Sequence, residues 1–245
     1  MFVREPMDID VKSMVQGTIC TGNLVVTGRL VDASNATLYA LATSDQLEIA
    51  CIYKPIAGER PLWDFPEGTL AGREYAAYLV SQASGLNIVP FTTLREGPFG
   101  FGMVQEWIDI DPSVDLMELY SKDIPALRSI VLFDAIINNT DRKIGHLLPT
   151  SQGHIFGCDH GVTFHVDNKL RSVLWQWSGA SLHESEILLL QGLRSSLKNE
   201  LGVVLGEHIS QGELRALDAR IDALLLKQVL PIPTDDWPSV PWPPF

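Results

Sequence analysis

Four charged side chains stand out in the sequence because each lies at the end of an apolar segment or in the segment that follows. Lys54 closes an apolar, β-branched run, and Glu74 lies in the helix-like stretch after it. Asp141 follows a long apolar run, and Asp159 closes a short one. A strand lysine partnered by a helical glutamate can hold nucleotide phosphates, while two further carboxylates can supply a base and a metal ligand. This order therefore predicts phosphoryl-transfer chemistry.

The spacing around the two aspartates supports the same chemistry. Asp141 is followed five residues later by His146, and Asp159 opens an Asp-x-Gly triplet that ends at Gly161. An aspartate followed five positions later by a metal-ligating type of residue, and then by a strand ending in Asp-x-Gly, is typical of base and metal sites for phosphate transfer.

The elements that must position these residues are mainly strands in the first part of the chain. Alternating apolar runs and turn residues predict strands over 24–31, 36–43, 47–54, 88–94 and 102–108. A helix is expected from a cap at Thr69 to a terminating Gly85. Together they predict an antiparallel sheet with one helix inserted after its third strand.

The second half reads as mostly helical. A helix is expected to begin near Asp123 and Pro125, and helical periodicity recurs over 184–200 and 210–229. Strand-like pieces at 146–150 and 154–159 flank a turn. Residues 231–245 hold six prolines, so they are expected to form an extended tail, either mobile or packed through its aromatic residues.

Composition narrows the classes of partner. The formal net charge is −12, which disfavours nucleic acid and anionic membranes as partners but leaves room for a local phosphate pocket. Neither a signal peptide nor an apolar run of membrane-spanning length is recognised. Cys20, Cys51 and Cys158 form no disulfide or metal-binding pattern, which indicates a reducing compartment. A cytoplasmic location is therefore expected, and the lack of a membrane-spanning run predicts no integral membrane association.

Five segments carry a family resemblance: GRLVDASNATL, YKPIAGERPLWDFPEGTLAGREYAAYL, GPFGFGMVQEW, DAIINNTDRKIGHLL, and GCDHGVTFH followed by KLRSVLWQW. The sequence resembles the phosphoinositide-3/4-kinase-like branch of the protein-kinase-like superfamily. More closely, it resembles a family of actinobacterial proteins named after that likeness. The resemblance spans roughly residues 25–180.

The resemblance implies an α+β, bilobal protein-kinase-like fold that binds ATP and Mg²⁺ or Mn²⁺. Residues 1–108 would form an N-lobe with an antiparallel sheet and one helix, and 109–230 a mainly helical C-lobe. Residues 231–245 would form the Pro/Trp-rich tail.

The resemblance also assigns residues to ATP. Lys54 would contact the α- and β-phosphates, and Glu74 would orient Lys54 by an ion pair. The turn Ser34–Asn35–Ala36–Thr37 would replace a glycine-rich loop, with backbone N–H groups around the phosphates. Gln105, Glu106 and Trp107 would form the hinge and offer backbone groups to adenine.

On the acceptor side, the resemblance makes Asp141 the catalytic base or orienting group. Arg142 would counter charge near the acceptor, and Asp159 would bind the metal. His146 stands where the family usually has asparagine, a hard oxygen donor for a second metal. Because Mg²⁺ prefers oxygen, His146 could favour Mn²⁺, hold a phosphate as a cation, leave one metal site unused, or be purely structural.

Several interpretations remain open at this point. The first hypothesis is an ATP-dependent phosphotransferase that acts on a hydroxyl of a small molecule or a protein. A nucleotide-binding pseudokinase with a regulatory role and a nucleotidyl (AMP) transferase are the alternatives. His154, Asp159, His160 and His165 raise a zinc site without the usual ligand spacing. The GPFGFG segment at 97–102 is expected to be a hairpin loop and not a phosphate loop.

Overall fold

The computed structural model describes residues 7–30, 36–45 and 47–245, with side chains from residue 11 onward. The chain divides into two compact units. The sheet unit comprises the described residues up to Ala71 together with Phe91–Trp107. The helical unit comprises Gly72–Pro90 together with Ile108–Phe245.

The sheet unit holds five antiparallel strands in the order β1-β2-β3-β5-β4. A helix, α1 (Met7–Thr21), precedes them and is not predicted by the sequence pattern. The strands are β1 (Asn23–Arg29), β2 (Leu38–Thr43), β3 (Glu48–Pro55), β4 (Thr92–Gly97) and β5 (Gly100–Glu106). The sheet and the helical second half confirm the predicted α+β class.

Side-chain alternation builds the core of the sheet unit, since successive residues of a strand point to opposite faces. Ala40 and Ala42 of β2 are buried, as are Cys51 and Tyr53 of β3, and Ile19 of α1 joins the same cluster. Burial raises the pKa of the Cys51 thiol to about 11, which keeps it neutral and unreactive.

The GPFGFG segment forms the predicted hairpin loop. Gly97 of β4 pairs with Gly100 of β5, and a two-residue turn joins them. Gly100 has a φ of +94°, which favours glycine. The Tyr53 hydroxyl donates to the Gly100 carbonyl oxygen, which ties the turn to β3.

Helix α2 (Leu70–Ala83) follows the turn-rich stretch after β3. Its first backbone N–H groups, those of Leu70 and Ala71, donate to the carboxylate of Glu59 at 3.2 and 2.8 Å. An acidic group at a helix N-terminus satisfies donors that the helix leaves unpaired and complements the helix dipole. Glu59 therefore caps the helix that carries Glu74, in addition to any contribution from Thr69.

The helical unit is built around α4 (Pro125–Ile137), where Pro125 occupies the first turn as predicted. Ten of the thirteen residues of α4 are buried, so it is the central helix of this unit and not a surface helix. Around it lie α3 (Leu116–Leu119), β6 (Leu147–Pro149), β7 (Ile155–Gly157), α5 (Glu184–Leu197), α6 (Glu200–Leu205) and α7 (Gln211–Lys227). Residues 231–245 contain no helix, as their prolines require. Within the described part of the chain, no helix has the length and apolar character needed to cross a bilayer.

Candidate functional site

The residues predicted to form the site fall into two groups. Ala36, Thr37, Lys54 and the hinge residues 105–107 belong to the sheet unit. The helical unit contains the other group, which comprises Glu74, Asp141, Arg142, His146 and Asp159.

In the sheet unit, Lys54 lies on β3 opposite Met103 of β5, and its side chain is partly buried. Alternation places it on the face opposite to the buried Tyr53. Gly102 lets β5 approach this point, because a Cβ there would clash with the Lys54 carbonyl oxygen. The backbone position of Lys54 therefore depends on a glycine in the neighbouring strand.

The predicted phosphate turn is described only in part. Ser34 and Asn35 lie outside the described residues. The backbone N–H of Ala36 donates to the Gly58 carbonyl oxygen at 3.1 Å, and Thr37 is buried. While that bond is in place, the Ala36 N–H is not available to a phosphate.

The hinge residues close β5 and use their own backbone donors. The N–H of Glu106 donates to the Phe91 carbonyl at 2.8 Å, and that of Trp107 to the Ala50 carbonyl at 3.0 Å. Neither N–H is available to adenine while these bonds persist. The side chain of Gln105 is buried, and its amide nitrogen donates to the Thr92 hydroxyl at 2.9 Å.

In the helical unit, the loop after α4 is folded by short polar contacts. Asn138 ends α4 with a φ of +55°, and its side-chain N–H donates to the carbonyls of His165 and Asp167. The Thr140 hydroxyl and backbone N–H both donate to the Val162 carbonyl. These contacts fix the two ends of the loop that presents Asp141.

Asp141 is a partly buried carboxylate in a mixed electrostatic environment. Its Oδ2 lies 3.3 Å from Nζ of Lys143. Burial raises the pKa of Asp141 above its ordinary value, the charge of Asp159 adds to this shift, and Lys143 and Arg171 oppose it. A carboxylate whose pKa is raised in this way is suited to accept a proton.

Asp159 follows β7, lies near enough to Asp141 for its charge to act on that group, and has a side chain that is about half exposed. Its backbone φ is +59°, a left-handed conformation that is uncommon for residues other than glycine and is often found at functional sites. Its Oδ2 is 3.6 Å from Nε2 of His146. The structure therefore places Asp141, His146 and Asp159 near one another.

The His146 ring has a defined environment on both nitrogens. Its Nδ1 lies 3.4 Å from the backbone N–H of Lys143, which can only donate. In the neutral ring this leaves the proton on Nε2, where it points towards Asp159. This tautomer fits a histidine that orients Asp159 better than one that offers a lone pair to a metal.

Arg142 does not lie where an acceptor could reach it, and its expected role must be corrected. Its side chain is fully buried, and its guanidinium makes two bonds of 2.9 Å to the Asp134 carboxylate. It also donates to the Cys158 carbonyl and to Nε2 of His160. Arg142 is therefore a core ion-pair residue that ties α4 to the segment around Asp159.

Glu74 is also buried, and its Oε2 accepts a hydrogen bond of 2.9 Å from the backbone N–H of His160. This contact was not foreseen from the sequence. It links α2 directly to the residue after Asp159. The pairing of Glu74 with Lys54 stays a prediction.

The zinc interpretation finds no support, because the described residues contain no group of three or more His, Cys, Asp or Glu side chains placed to hold a metal ion together. Nε2 of His160 accepts from Arg142, and Nε2 of His154 lies 3.0 Å from the Asn87 carbonyl. A Mg²⁺ ion fits better, because it commonly takes one or two protein carboxylates and completes its shell with phosphate oxygens and water. Asp159, half exposed beside a second carboxylate, suits that role.

Two further residues of the site were missed by sequence reasoning. Lys143 places its ammonium 3.3 Å from the Asp141 carboxylate. Arg171 donates from Nε to the carbonyl of Thr140 at 2.7 Å, next to Asp141 in sequence. Lys143 lies in the same NTDRKIGH motif as Asp141, so the sequence could have indicated a cation there. Arg171 lies thirty residues from Asp141, and no sequence pattern links the two.

Solved structures define the class of fold. The Golgi casein kinase with Mn/ADP bound superposes with a TM-score of 0.58 at 12% identity, over 90% of this chain and 75% of that one. The Helicobacter pylori proinflammatory kinase CtkA gives a TM-score of 0.50 at 11% identity, over 86% and 94%. At such identities the likeness shows the fold alone, which is protein-kinase-like.

The family is shown by sequence. The chain is 40% identical to Protein Rv2133c of Mycobacterium tuberculosis over 262 aligned positions, 93% of this chain and 94% of that protein. The chain therefore belongs to the family of Protein Rv2133c, and this mycobacterial relative fits the predicted actinobacterial family. No family model matches the chain.

Proposed function

We propose that this protein is an ATP-dependent phosphotransferase that moves a phosphoryl group to a hydroxyl of a small molecule or a protein. The observation that carries the proposal is the pair of carboxylates, Asp141 and Asp159, that the kinase-like fold brings together beside Lys143. Phosphoryl transfer depends mainly on positioning and on electrostatic stabilisation, and this cluster offers both.

Each residue of the proposed site has a distinct role. Asp141 orients the acceptor hydroxyl and takes its proton, which suits its partial burial and raised pKa. Lys143 is the cation beside it, in place of the buried Arg142. Lys54 contacts the ATP phosphates, Glu74 supports Lys54, and residues 105–107 border the adenine.

Asp159 is the proposed metal ligand, with Mg²⁺ or Mn²⁺ as the ion. When bound, the ion neutralises charge on the phosphates. The Mn/ADP present in the Golgi casein kinase structure supports this pairing of nucleotide and ion. His146, whose Nε2 lies 3.6 Å from Oδ2 of Asp159, is the proposed neighbour that orients this carboxylate.

A second function, that of a nucleotide-binding pseudokinase, is favoured by His146. A histidine whose Nδ1 faces a backbone N–H and whose Nε2 faces Asp159 offers no oxygen to a second Mg²⁺ ion. A protein with such a site could bind ATP and regulate a partner with little turnover.

The acceptor class follows from charge. A net charge of −12 works against phosphoinositides, whose head groups and membranes are anionic. We therefore favour a polar metabolite or a protein over a lipid.

The deciding experiment incubates the protein in parallel with γ-labelled and α-labelled ATP, in Mg²⁺ and in Mn²⁺. Transfer of label from the γ position alone supports phosphoryl transfer. Label from the α position would instead identify nucleotidyl transfer. Absence of transfer from either position, with ATP-dependent thermal stabilisation preserved, supports the pseudokinase and contradicts the enzyme.

A further inference from the structure

Residues 231–245, hereafter the proline-rich strap, pack on the loops of the helical unit that carry the catalytic candidates. The strap has no regular secondary structure, yet three hydrogen bonds tie it down. Its Ser239 carbonyl accepts from the backbone N–H of Ser172 and from the indole N–H of Trp175, both at 2.9 Å. Its Pro244 carbonyl accepts from the backbone N–H of Ile144 at 2.9 Å.

The hydrogen bond between Ile144 and Pro244 joins the strap to the candidate catalytic loop. Ile144 lies between Asp141 and His146, so the Pro244 carbonyl satisfies a backbone donor in the middle of the candidate catalytic loop. The ring of Phe245 lies against Gly145, the next residue of that loop. The strap therefore contacts the loop at two consecutive residues.

The aromatic ring of Trp237 provides a second attachment. The Lys169 ammonium lies 4.9 Å from the ring centroid, and the Arg171 guanidinium carbon lies 5.4 Å from it. Both distances are within the range of cation–π attraction. Trp237 Nε1 is buried and has no hydrogen-bond partner among the described residues, so the face of the ring provides its polar contact.

Arg171 connects Trp237 to the catalytic loop through hydrogen bonds. Its backbone N–H donates to the Asn139 carbonyl at 3.0 Å, and its Nε donates to the Thr140 carbonyl at 2.7 Å. The Arg142 N–H donates in turn to the Arg171 carbonyl at 3.1 Å. Trp237, Arg171 and residues 139–142 thus form one continuous chain of contacts that ends at Asp141.

We propose that the proline-rich strap is a positioning element of the active site: Trp237 fixes Arg171, and Pro244 fixes Ile144, so that Asp141 is held ready for the acceptor. The catalytic part of this inference rests on the proposed function. Proline suits the task because its restricted backbone loses little entropy when the strap is held in place. Trp237 is a positioning residue and does not contact the substrate.

The first test is amide-resolved hydrogen exchange on the full chain, comparing the parent with Trp237→Leu, Trp237→Phe and Trp242→Leu. Trp242 is 88% exposed and serves as the matched control for loss of a strap tryptophan. Trp237→Leu should accelerate exchange at Ile144 and Ser172 about tenfold, the size of one partly buried cation–π contact. Amides in the middle of α4 should keep their rates, and Trp237→Phe should restore most of the protection.

The second test is ATP turnover by the same four proteins. Trp237→Leu should lower kcat about tenfold and leave KM for ATP unchanged, because the strap contacts the acceptor-side loop. Unchanged exchange at Ile144 and Ser172 would overturn the proposal, as would faster exchange with unchanged kcat. If the parent protein shows no turnover, the phosphotransferase proposal is refuted. Faster exchange in Trp237→Leu would in that case still establish that the strap supports this loop.

Discussion

The carboxylate of Glu74 accepts a 2.9 Å hydrogen bond from the backbone N–H of His160, the residue after Asp159. One buried glutamate thus connects helix α2 to the proposed metal-binding segment within a single unit. A shift of α2 would displace the segment that carries Asp159. Glu59, which caps α2 through Leu70 and Ala71, supports the same connection from the helix N-terminus.

Glu74→Gln is expected to keep the fold, because the amide oxygen can still accept from His160. It should weaken ATP-induced thermal stabilisation, because the charge proposed to support Lys54 is lost. Glu74→Ala should lower the melting temperature as well, since it leaves a buried N–H unpaired. Melting curves with and without MgATP measure both effects; full ATP stabilisation of Glu74→Gln would contradict the proposed pairing.

Lys54→Ala should leave the melting temperature of the unliganded protein nearly unchanged and abolish most of the stabilisation by ATP. The reason is linkage, because a ligand stabilises the folded state only as far as it binds it. Lys122→Ala, at an exposed position of the helical unit, is the control and should respond to ATP like the parent. If both variants respond equally, Lys54 does not bind phosphate.

Asp141→Asn should lower turnover by about 10² or more, the usual size for a positioned base, with little change in ATP affinity.

His146→Asn separates the two proposed functions, because asparagine would place an oxygen donor near Asp159. A phosphotransferase should then keep or gain activity in Mg²⁺. ATP consumption and affinity in Mg²⁺ and Mn²⁺ give the answer, and equal consumption by the parent and Asp141→Asn would exclude the enzyme.

Arg142→Met should destabilise the protein by about 3–5 kcal/mol, because it leaves the Asp134 carboxylate buried without its cation. Adding Asp134→Asn to that variant should recover part of the loss by removing the unpaired charge. Urea denaturation of the three proteins measures the difference. If Arg142→Met is as stable as the parent but has a lower turnover, the structural role is wrong and Arg142 acts near the acceptor.

Glu213 provides a pH-dependent contribution to stability. Burial alone would raise its pKa, but bonds from the Ser210 backbone and the Arg73 guanidinium outweigh burial and hold the pKa below 4.5. The stabilisation is therefore present above that pH and is lost as the pH falls through the lower pKa of the folded state. Glu213→Gln should flatten the acid limb of the stability curve measured by urea denaturation at several pH values. Glu118→Gln, at an exposed position, should leave it as steep as in the parent.

Local patterns in the sequence were sufficient for most elements. Alternation predicted the strands of the sheet unit, and Pro125 correctly marked the first turn of α4. Helix α1 escaped prediction because its sequence lacks a clear apolar period; contact with the sheet buries Ile19. Asp141, His146 and Asp159 lie close together because strands β6 and β7, which separate them in sequence, pair locally.

The chain alone determined the fold class, the order of the elements and the residue types of the candidate site. Tertiary structure decided what each charge contacts. Arg142 and Lys143 are adjacent in sequence, yet one is buried against Asp134 and the other lies beside Asp141. Likewise, only folding brings Trp237 to Arg171 and Glu74 to His160. Burial and pairing depend on groups that lie far apart along the chain, so residue type and local spacing do not determine them.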